Sequence, residues 1–391
     1  MTHRKYTDLV HLGRRKEWTD GVVNPPVYHA STILFDTVAE MKAAGKASTE
    51  TMSYARRGTK TTFALAEAIA SLEGGAGTVI YPSGLAAIAS SLMSFTEAGS
   101  HLLVTDNVYE PTRALCEGTL RKFGVEVEYF DPMAGSGISE HLRENTSAVF
   151  VEAPGSVTME VSDIPAIADA AHRAGAVVLM DNTWATPLYF DAIGHGVDVS
   201  IQSLTKYVVG HSDAMLGAAT ATGDTITKLR RHSGHIGQCA GPDDIYLGLR
   251  GLRTLGVRLV RHQESALEIA AWLTDRSEVD RVLHPGLPDC PGHDIWKRDF
   301  TGASGLFSFV LKAGGEKATT AFLEGMEHFK MGFSWGGFES LAMAYHNVAR
   351  IRTASDWNAP GPVIRLHVGL EDVDDLKQDL DTAFARYRAA L

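Results

Sequence analysis

Residues 164–183 read IPAIADAAHRAGAVVLMDNT, and residues 197–206 read VDVSIQSLTK. In the first stretch apolar residues recur at helical spacing as far as Gly175, a residue suited to closing a helix. They then run unbroken from Ala176 to Met180 and stop on Asp181. In the second, an apolar run closes on Ser203, Thr205 and Lys206. A helix feeding a continuously apolar strand predicts a parallel sheet covered on both faces. The same alternation extends outward through the strand candidates TVIYPSG (78–84), HLLVTD (101–106) and SAVFVEAPGS (147–156), with helical patterns at LAAIASSLMSF (85–95) and EPTRALCEGTLRKFG (110–124). The expected fold class is α/β: a mostly parallel sheet with helices on both faces, and a smaller α+β part behind it.

The flanks read differently. Residues 1–58 are polar and turn-rich, as in NPPVYHASTILFD, and predict an extended arm. Residues 59–245 hold the α/β pattern. PDDIYLGLRGLRTLGVRLVRHQESALEIAAWL (242–273) predicts one long helix, N-capped by Asp243 or Asp244, leading into an α+β domain over 246–391. That domain has strand candidates GLFSFVLK (305–312) and PVIRLHVGLED (362–372) and a closing amphipathic helix over 372–391.

Composition removes several function classes. Asp+Glu number 47 against 36 Lys+Arg, a formal net charge of −11, which argues against a nucleic-acid surface or an anionic membrane as partner. The three cysteines, Cys116, Cys239 and Cys290, are far apart and fit free thiols in a reducing compartment. The opening MTHRKYTDLVHLGRRKEW lacks the apolar core of a secretory signal, and a soluble, cytoplasmic protein is expected. His232 and His235 form an HxxH without a cysteine or carboxylate pair at ligand spacing, so no metal site is expected.

Open α/β sheets bind ligands beyond the carboxyl ends of their strands. Those ends carry Ser83-Gly84-Leu85, Asp106 with Tyr109 beyond it, Glu152, Asp181 and Ser203-Leu204-Thr205-Lys206. Alone, the Ser-Gly turn is an ordinary strand-to-helix connection, though one whose amides suit a phosphate. A lysine and an acid at adjacent strand ends, beside such a turn, are together what pyridoxal phosphate requires. The lysine binds the cofactor, the acid faces its ring nitrogen, hydroxyls and helix amides hold the phosphate, and Tyr109 offers a ring to stack on it.

Eight segments in order carry a resemblance: YARRGT (54–59), LEGGAG (72–77), DNVYEPT (106–112), EAPGSVTMEV (152–161), DNTWA (181–185), TKYVVGHSDAM (205–215), GLRTLGVRL (251–259) and SWGGFESL (334–341). The sequence resembles the transsulfuration (Cys/Met metabolism) family of fold-type I pyridoxal-phosphate enzymes over nearly its whole length. RRGT, YEPT, APGS and SWGG fall on the β-eliminating side of that family rather than the γ-acting side. The resemblance implies carbon–sulfur β-lyase activity, cleaving L-cystathionine to homocysteine, pyruvate and ammonia, with a γ-lyase or γ-replacing transferase as the alternative. It implies that Lys206 binds the cofactor and shuttles protons, Asp181 pairs with the ring nitrogen, Tyr109 stacks, and Gly84, Leu85, Ser203 and Thr205 hold the phosphate. Tyr54 and Arg56 are implied to reach the phosphate of a neighbouring subunit, making the protein an obligate dimer, usually paired into a tetramer. Arg365 is implied to clamp the substrate α-carboxylate, beside Ser334 and Trp335. The resemblance departs at LRRHSGHIGQ (229–238), basic where an acidic residue is common, and at Phe333, where tyrosine is common; the implied substrates therefore extend to cystine and S-substituted cysteines.

Overall fold

In the computed structural model, residues 4–46, 50–223 and 225–391 are described. Seven strands form the large sheet: β1 (Gly77–Tyr81), β2 (His101–Thr105), β3 (Glu126–Phe130), β4 (Thr146–Glu152), β5 (Val177–Asp181), β6 (Val199–Gln202) and β7 (Gly217–Ala221). Their order is β1-β7-β6-β5-β4-β2-β3. β7 runs antiparallel to both of its neighbours, and the remaining pairs are parallel.

Alternation along these strands explains the two covered faces. Leu102, Val104, Leu179 and Ile201 pack with Ile88, Leu92 and Phe95 of the helix Gly84–Phe95. Leu103, Val178 and Met180 point the other way, onto Leu65, Ile69 and Leu72 of the helix Lys60–Glu73 and Ile164 and Ile167 of the helix Ile164–Arg173. With both faces buried, β2, β4 and β5 read as mostly apolar runs, as expected from the sequence.

A second sheet is antiparallel throughout, in the order β10-β11-β9-β8, from β8 (Val279–Leu283), β9 (Leu306–Leu311), β10 (Leu341–Tyr345) and β11 (Val363–His367). Phe307 and Phe309 on β9 join Phe322, Phe384 and Tyr387 in its core, the last two from the closing helix Val373–Ala390.

Several expectations are corrected. The helix over 242–273 is two helices, Pro242–Leu252 and Leu255–Thr274. The break lets the buried Arg258 turn back: its Nη2 donates to Gly251 O (2.8 Å) and its Nη1 to Tyr207 O (2.7 Å), just after Lys206. Neither Asp243 nor Asp244 is the N-cap; Gly241 is, because Pro242, without an N–H, suits the first turn. The arm contains helices at Lys5–His11, Lys16–Thr19 and Val38–Lys46, too short to show a period; its residues 1–3 and 47–49 lie outside the described set. Leu9 and Trp18 from the first two are buried in the same core as the helix Lys60–Glu73. The helical pattern over 110–124 starts as Glu110–Ala114 and continues as a π-helical turn, Leu115–Leu120. β6 ends at Gln202, so Lys206 stands in the turn after the strand rather than on it. β3, β7, β8 and β10 have no counterpart among the strands predicted from sequence; β7 reads GAATA, with Thr220 its one branched side chain among alanines and a glycine, which disfavour strands.

Candidate active site

The turn after β1 is built by Ser83, whose Oγ accepts from Ala86 N (3.1 Å) and caps the helix that starts at Gly84. The first amides of that helix, Gly84 and Leu85, have no partner inside it. A Cβ at Gly84 would lie 2.5 Å from Ser203 Cβ, so glycine is required for the turns after β1 and β6 to meet. Ser203 N is itself held by Thr183 Oγ1 (2.8 Å). Thr205 is placed differently from its implied phosphate role: its Oγ1 donates to Leu216 O (3.0 Å) and accepts from Leu216 N (2.9 Å), which commits its proton.

At the end of β5, Asp181 pairs in register with Glu152 on β4 and Ile201 on β6. Its Oδ1 accepts from Thr183 N (3.0 Å) and Thr183 Oγ1 (2.5 Å). Burial pushes the Asp181 carboxyl above the usual range, against the pull of the Thr183 hydrogen bonds and the Lys206 charge. Glu152, which sequence reasoning placed at a strand end without a role, accepts from Tyr109 N (2.7 Å). Burial and the Asp181 charge hold its carboxyl well above the ordinary value, so of the two neighbouring acids each makes ionisation of the other harder. Tyr109 is 42% exposed, with its backbone fixed by that bond.

Lys206 lies opposite. Its Nζ donates to Ser334 Oγ at 2.5 Å and stands 5.1 Å from the centre of the Trp335 ring. Burial and the positive field of Arg365 lower its amine to about 8, with Asp181 opposing. Arg365, on β11 in register with Met343 and Ser308, is 9% exposed. Its Nη2 reaches Met343 Sδ (3.4 Å), and its guanidinium sits 5.4 Å from the Tyr345 ring centre. Among the described residues it forms no salt bridge, which leaves a buried cation that an anionic ligand could match.

The structure thus brings Gly84, Ser203, Asp181, Lys206, Tyr109, Ser334, Trp335 and Arg365 to one place. It does not bring Tyr54 and Arg56 there. Arg56 donates to Gly234 O (3.0 Å) and lies 5.9 Å from the Tyr54 ring centre. With Arg57, Arg230, Arg231 and His235 it lines a cavity of about 1080 Å³ that includes none of Asp181, Lys206 or Arg365.

A second cluster escaped the sequence reading. Asp106, at the end of β2, accepts from Ala354 N (2.9 Å), Ser355 N (3.1 Å) and Thr353 N (2.9 Å), and from Arg113 Nη2 (2.6 Å). Arg352 Nη1 donates to Glu160 Oε1 (2.9 Å), which ties the segment leading to β11 onto the large sheet. Its signal was thin: DNVYEPT and EAPGSVTMEV hold Asp106 and Glu160, but nothing local points to residues some 200 positions later.

Comparison with known proteins now bears on this geometry. Residues 6–385 match the family described as Cys/Met metabolism PLP-dependent enzyme. The chain belongs to that family. It is 48% identical over 387 residues to the cystathionine beta-lyase of Escherichia coli strain K12, covering 97% of this chain and 98% of the relative. It is also 48% identical over 386 residues to the cystathionine beta-lyase of Salmonella typhimurium, with the same shares covered. The crystal structure of cystathionine gamma synthase from Xanthomonas oryzae pv. oryzae in complex with cystathionine superposes with a TM-score of 0.90 at 31% identity, covering 100% of both chains.

Family membership makes pyridoxal phosphate the cofactor, and the residues present fit it. The Gly84–Ser203 cradle would be filled by one added Cβ, Lys206 carries an amine lowered to about 8, and Asp181 offers a carboxylate oxygen beyond the one bonded to Thr183. No helix among the described residues is long and apolar enough to cross a membrane.

Proposed function

We propose that this enzyme is a carbon–sulfur β-lyase that cleaves L-cystathionine by α,β-elimination to homocysteine, pyruvate and ammonia, and also accepts cystine or S-substituted cysteines. The observation that carries the reading is a lysine amine lowered to about 8 beside a buried guanidinium, Arg365, that has no salt bridge among the described residues and whose charge acts on the lysine. Bound there, pyridoxal phosphate supplies an electron sink for the pair released at the substrate Cα. The chain does the rest. Arg365 takes the α-carboxylate in a bidentate clamp, which orients the Cα–H. Lys206 removes that proton and returns one to the departing thiolate or product; near neutral pH an amine near 8 can do either. Asp181 holds a negative charge opposite the ring nitrogen, Tyr109 covers the ring, and the amides of Gly84 and Leu85 with the Ser203 hydroxyl hold the phosphate. Thr205 joins them only by turning its proton away from Leu216. Ser334 receives Lys206 Nζ when the amine is free, and Trp335 walls the same pocket.

The reading includes a shared site. Tyr54 and Arg56, apart from Lys206 in their own chain, would complete a neighbour's phosphate pocket in a dimer, itself paired into a tetramer. It also includes a division into an arm (1–58), a cofactor-binding part (59–245) and a C-terminal part (246–391), and a cytoplasmic location. Steady-state turnover of L-cystathionine with identification of the keto acid tests the activity. Pyruvate is expected; 2-oxobutyrate as the main product would replace this reading with the γ-acting one. Light scattering on the purified protein tests the assembly, and a monomer that turns over would overturn it.

A further inference from the structure

Ser334 is one of few non-glycine residues with a left-handed backbone, at φ 86°, and its hydroxyl is the one that meets Lys206 Nζ at 2.5 Å. A residue with a Cβ does not hold that conformation unaided, so something must fix the turn. The far end of the turn is anchored by Glu371, which accepts from Ser340 N (2.8 Å) and Ser340 Oγ (2.8 Å). Its middle rests on His367. Gly336 N lies 3.1 Å from His367 Nε2, and Gly337 O lies 3.0 Å from the same nitrogen. Gly336 itself, at φ +85°, is so close to the lysine turn that a Cβ there would come within 2.9 Å of Lys206 C and Tyr207 N.

His367 lies two residues beyond Arg365 on β11, so both side chains leave the same face of the strand. The ring is buried against Tyr207 (centroids 6.0 Å apart) and His262 (5.3 Å). Burial and the neighbouring His262 keep it well below the usual histidine range, hence neutral. A neutral ring nitrogen either accepts from the N–H of the Trp335–Gly336 peptide or donates to the C=O of the Gly337–Phe338 peptide, so each tautomer ties one side of the same two-glycine turn. His367 Nδ1 has no partner among the described residues, so Nε2 alone connects the ring to the turn.

We propose that His367 is a positioning residue for the lysine: through Nε2 it fixes the turn at Gly336 and Gly337, which holds Ser334 left-handed with its hydroxyl on Lys206. β11 would then set both ends of the reaction, the substrate carboxylate through Arg365 and the proton-carrying amine through His367. The inference rests on Lys206 being the reacting amine but not on which substrate is cleaved.

Two amide replacements separate positioning from packing. In His367→Gln the amide reaches the place of Nε2; in His367→Asn it reaches only the place of Nδ1. The first readout is the pH midpoint for acylation of Lys206 in the cofactor-free full chain, followed by mass spectrometry. The groups acting on Lys206 are Arg365, Asp181 and Ser334, with neutral His367 behind them. Losing the Ser334 acceptor disfavours the ammonium, so H367N is expected to lower the midpoint by about one unit and H367Q to leave it near the native value. The second readout is turnover of the loaded enzyme: H367N is expected to lose about tenfold in kcat with KM within about threefold, and H367Q to retain most of it. Equal behaviour of the two variants in both readouts overturns the proposal. Should both fail to fold, Gly336→Ala disturbs the same turn with His367 intact, and an unchanged Lys206 midpoint in that variant overturns it as well. A protein that passes the midpoint test yet releases no pyruvate from cystathionine would refute the proposed substrate and not this role.

Discussion

Two buried ionic clusters stand at the carboxyl ends of β2 and β5, the strands on either side of β4, and they are built in opposite ways. Around Asp106 the charges are matched: the carboxylate takes three backbone amides and Arg113, and Arg352 is shared with Glu160. Around Asp181 they are not: two acids face each other, Lys206 meets a hydroxyl, and Arg365 meets a thioether. The closed cluster is scaffold, pinning the segment before β11 to the large sheet. The open one is the arrangement the proposed site calls for, since unmatched buried charge is costly and a bound ligand would complete it.

Breaking the open cluster should cost activity and not stability, and the closed one the reverse. The largest effect is expected from Lys206→Ala, with pyruvate formation falling by about 10⁴-fold while the thermal midpoint holds or rises. Retained turnover would remove Lys206 from the chemistry. Next, Arg365→Leu is expected to lower kcat/KM by about 100-fold, chiefly through KM, since it deletes charge-assisted bonds of about 2–3 kcal/mol to the carboxylate. Its unfolding midpoint should again not fall, as one uncompensated buried cation is gone. Arg352→Leu should do the opposite: about 3 kcal/mol less stable to denaturant, because Glu160 is left buried without its cation. Its KM should stay near the native value.

The smallest effect, about 1 kcal/mol, should differ in sign between the two aspartates. Burial alone would raise Asp106, but the Ala354 and Thr353 amides and Arg113 outweigh it and hold the carboxyl below the usual range. A lowered carboxyl contributes stability above its unfolded value and loses it as pH falls through the folded one. The deficit of Asp106→Asn should therefore shrink on acidification. Asp181 is raised, so its proton stabilises the fold at low pH and that gain disappears as pH rises through the folded value. Asp181→Asn, which cannot ionise, should match the native protein in acid and exceed it at neutral pH. Thermal midpoints of the pair across pH 3–8 would show opposite slopes; parallel slopes would dissolve the distinction between the clusters.

How much of this was legible depended on where the determining contacts lie. The runs ending on Asp181 and Lys206 gave the sheet, its two faces and the cofactor logic, because a strand buried on both sides must be apolar along its whole length. β7 was not legible: GAATA has one branched residue, Thr220, among alanines and a glycine, and its antiparallel pairing with β1 and β6 is a matter of tertiary packing. The break at Arg253–Thr254 was missed because the apolar period continues across it; the cause is Arg258 reaching a turn 50 residues earlier.

By itself, then, the sequence determined which side chains end the strands, and so the lysine, the acid and the phosphate turn, since strand ends and turns are written in neighbouring residues. Only the tertiary structure decided what those groups face. Ser334 meets Lys206 across 128 positions, Arg352 meets Glu160 across 192, and His367 reaches the Gly336 amide from 31 residues away. Burial, partner and missing partner are properties of that packing. They set the lysine amine to about 8, leave Arg365 unmatched and make Thr205 a tie to Leu216.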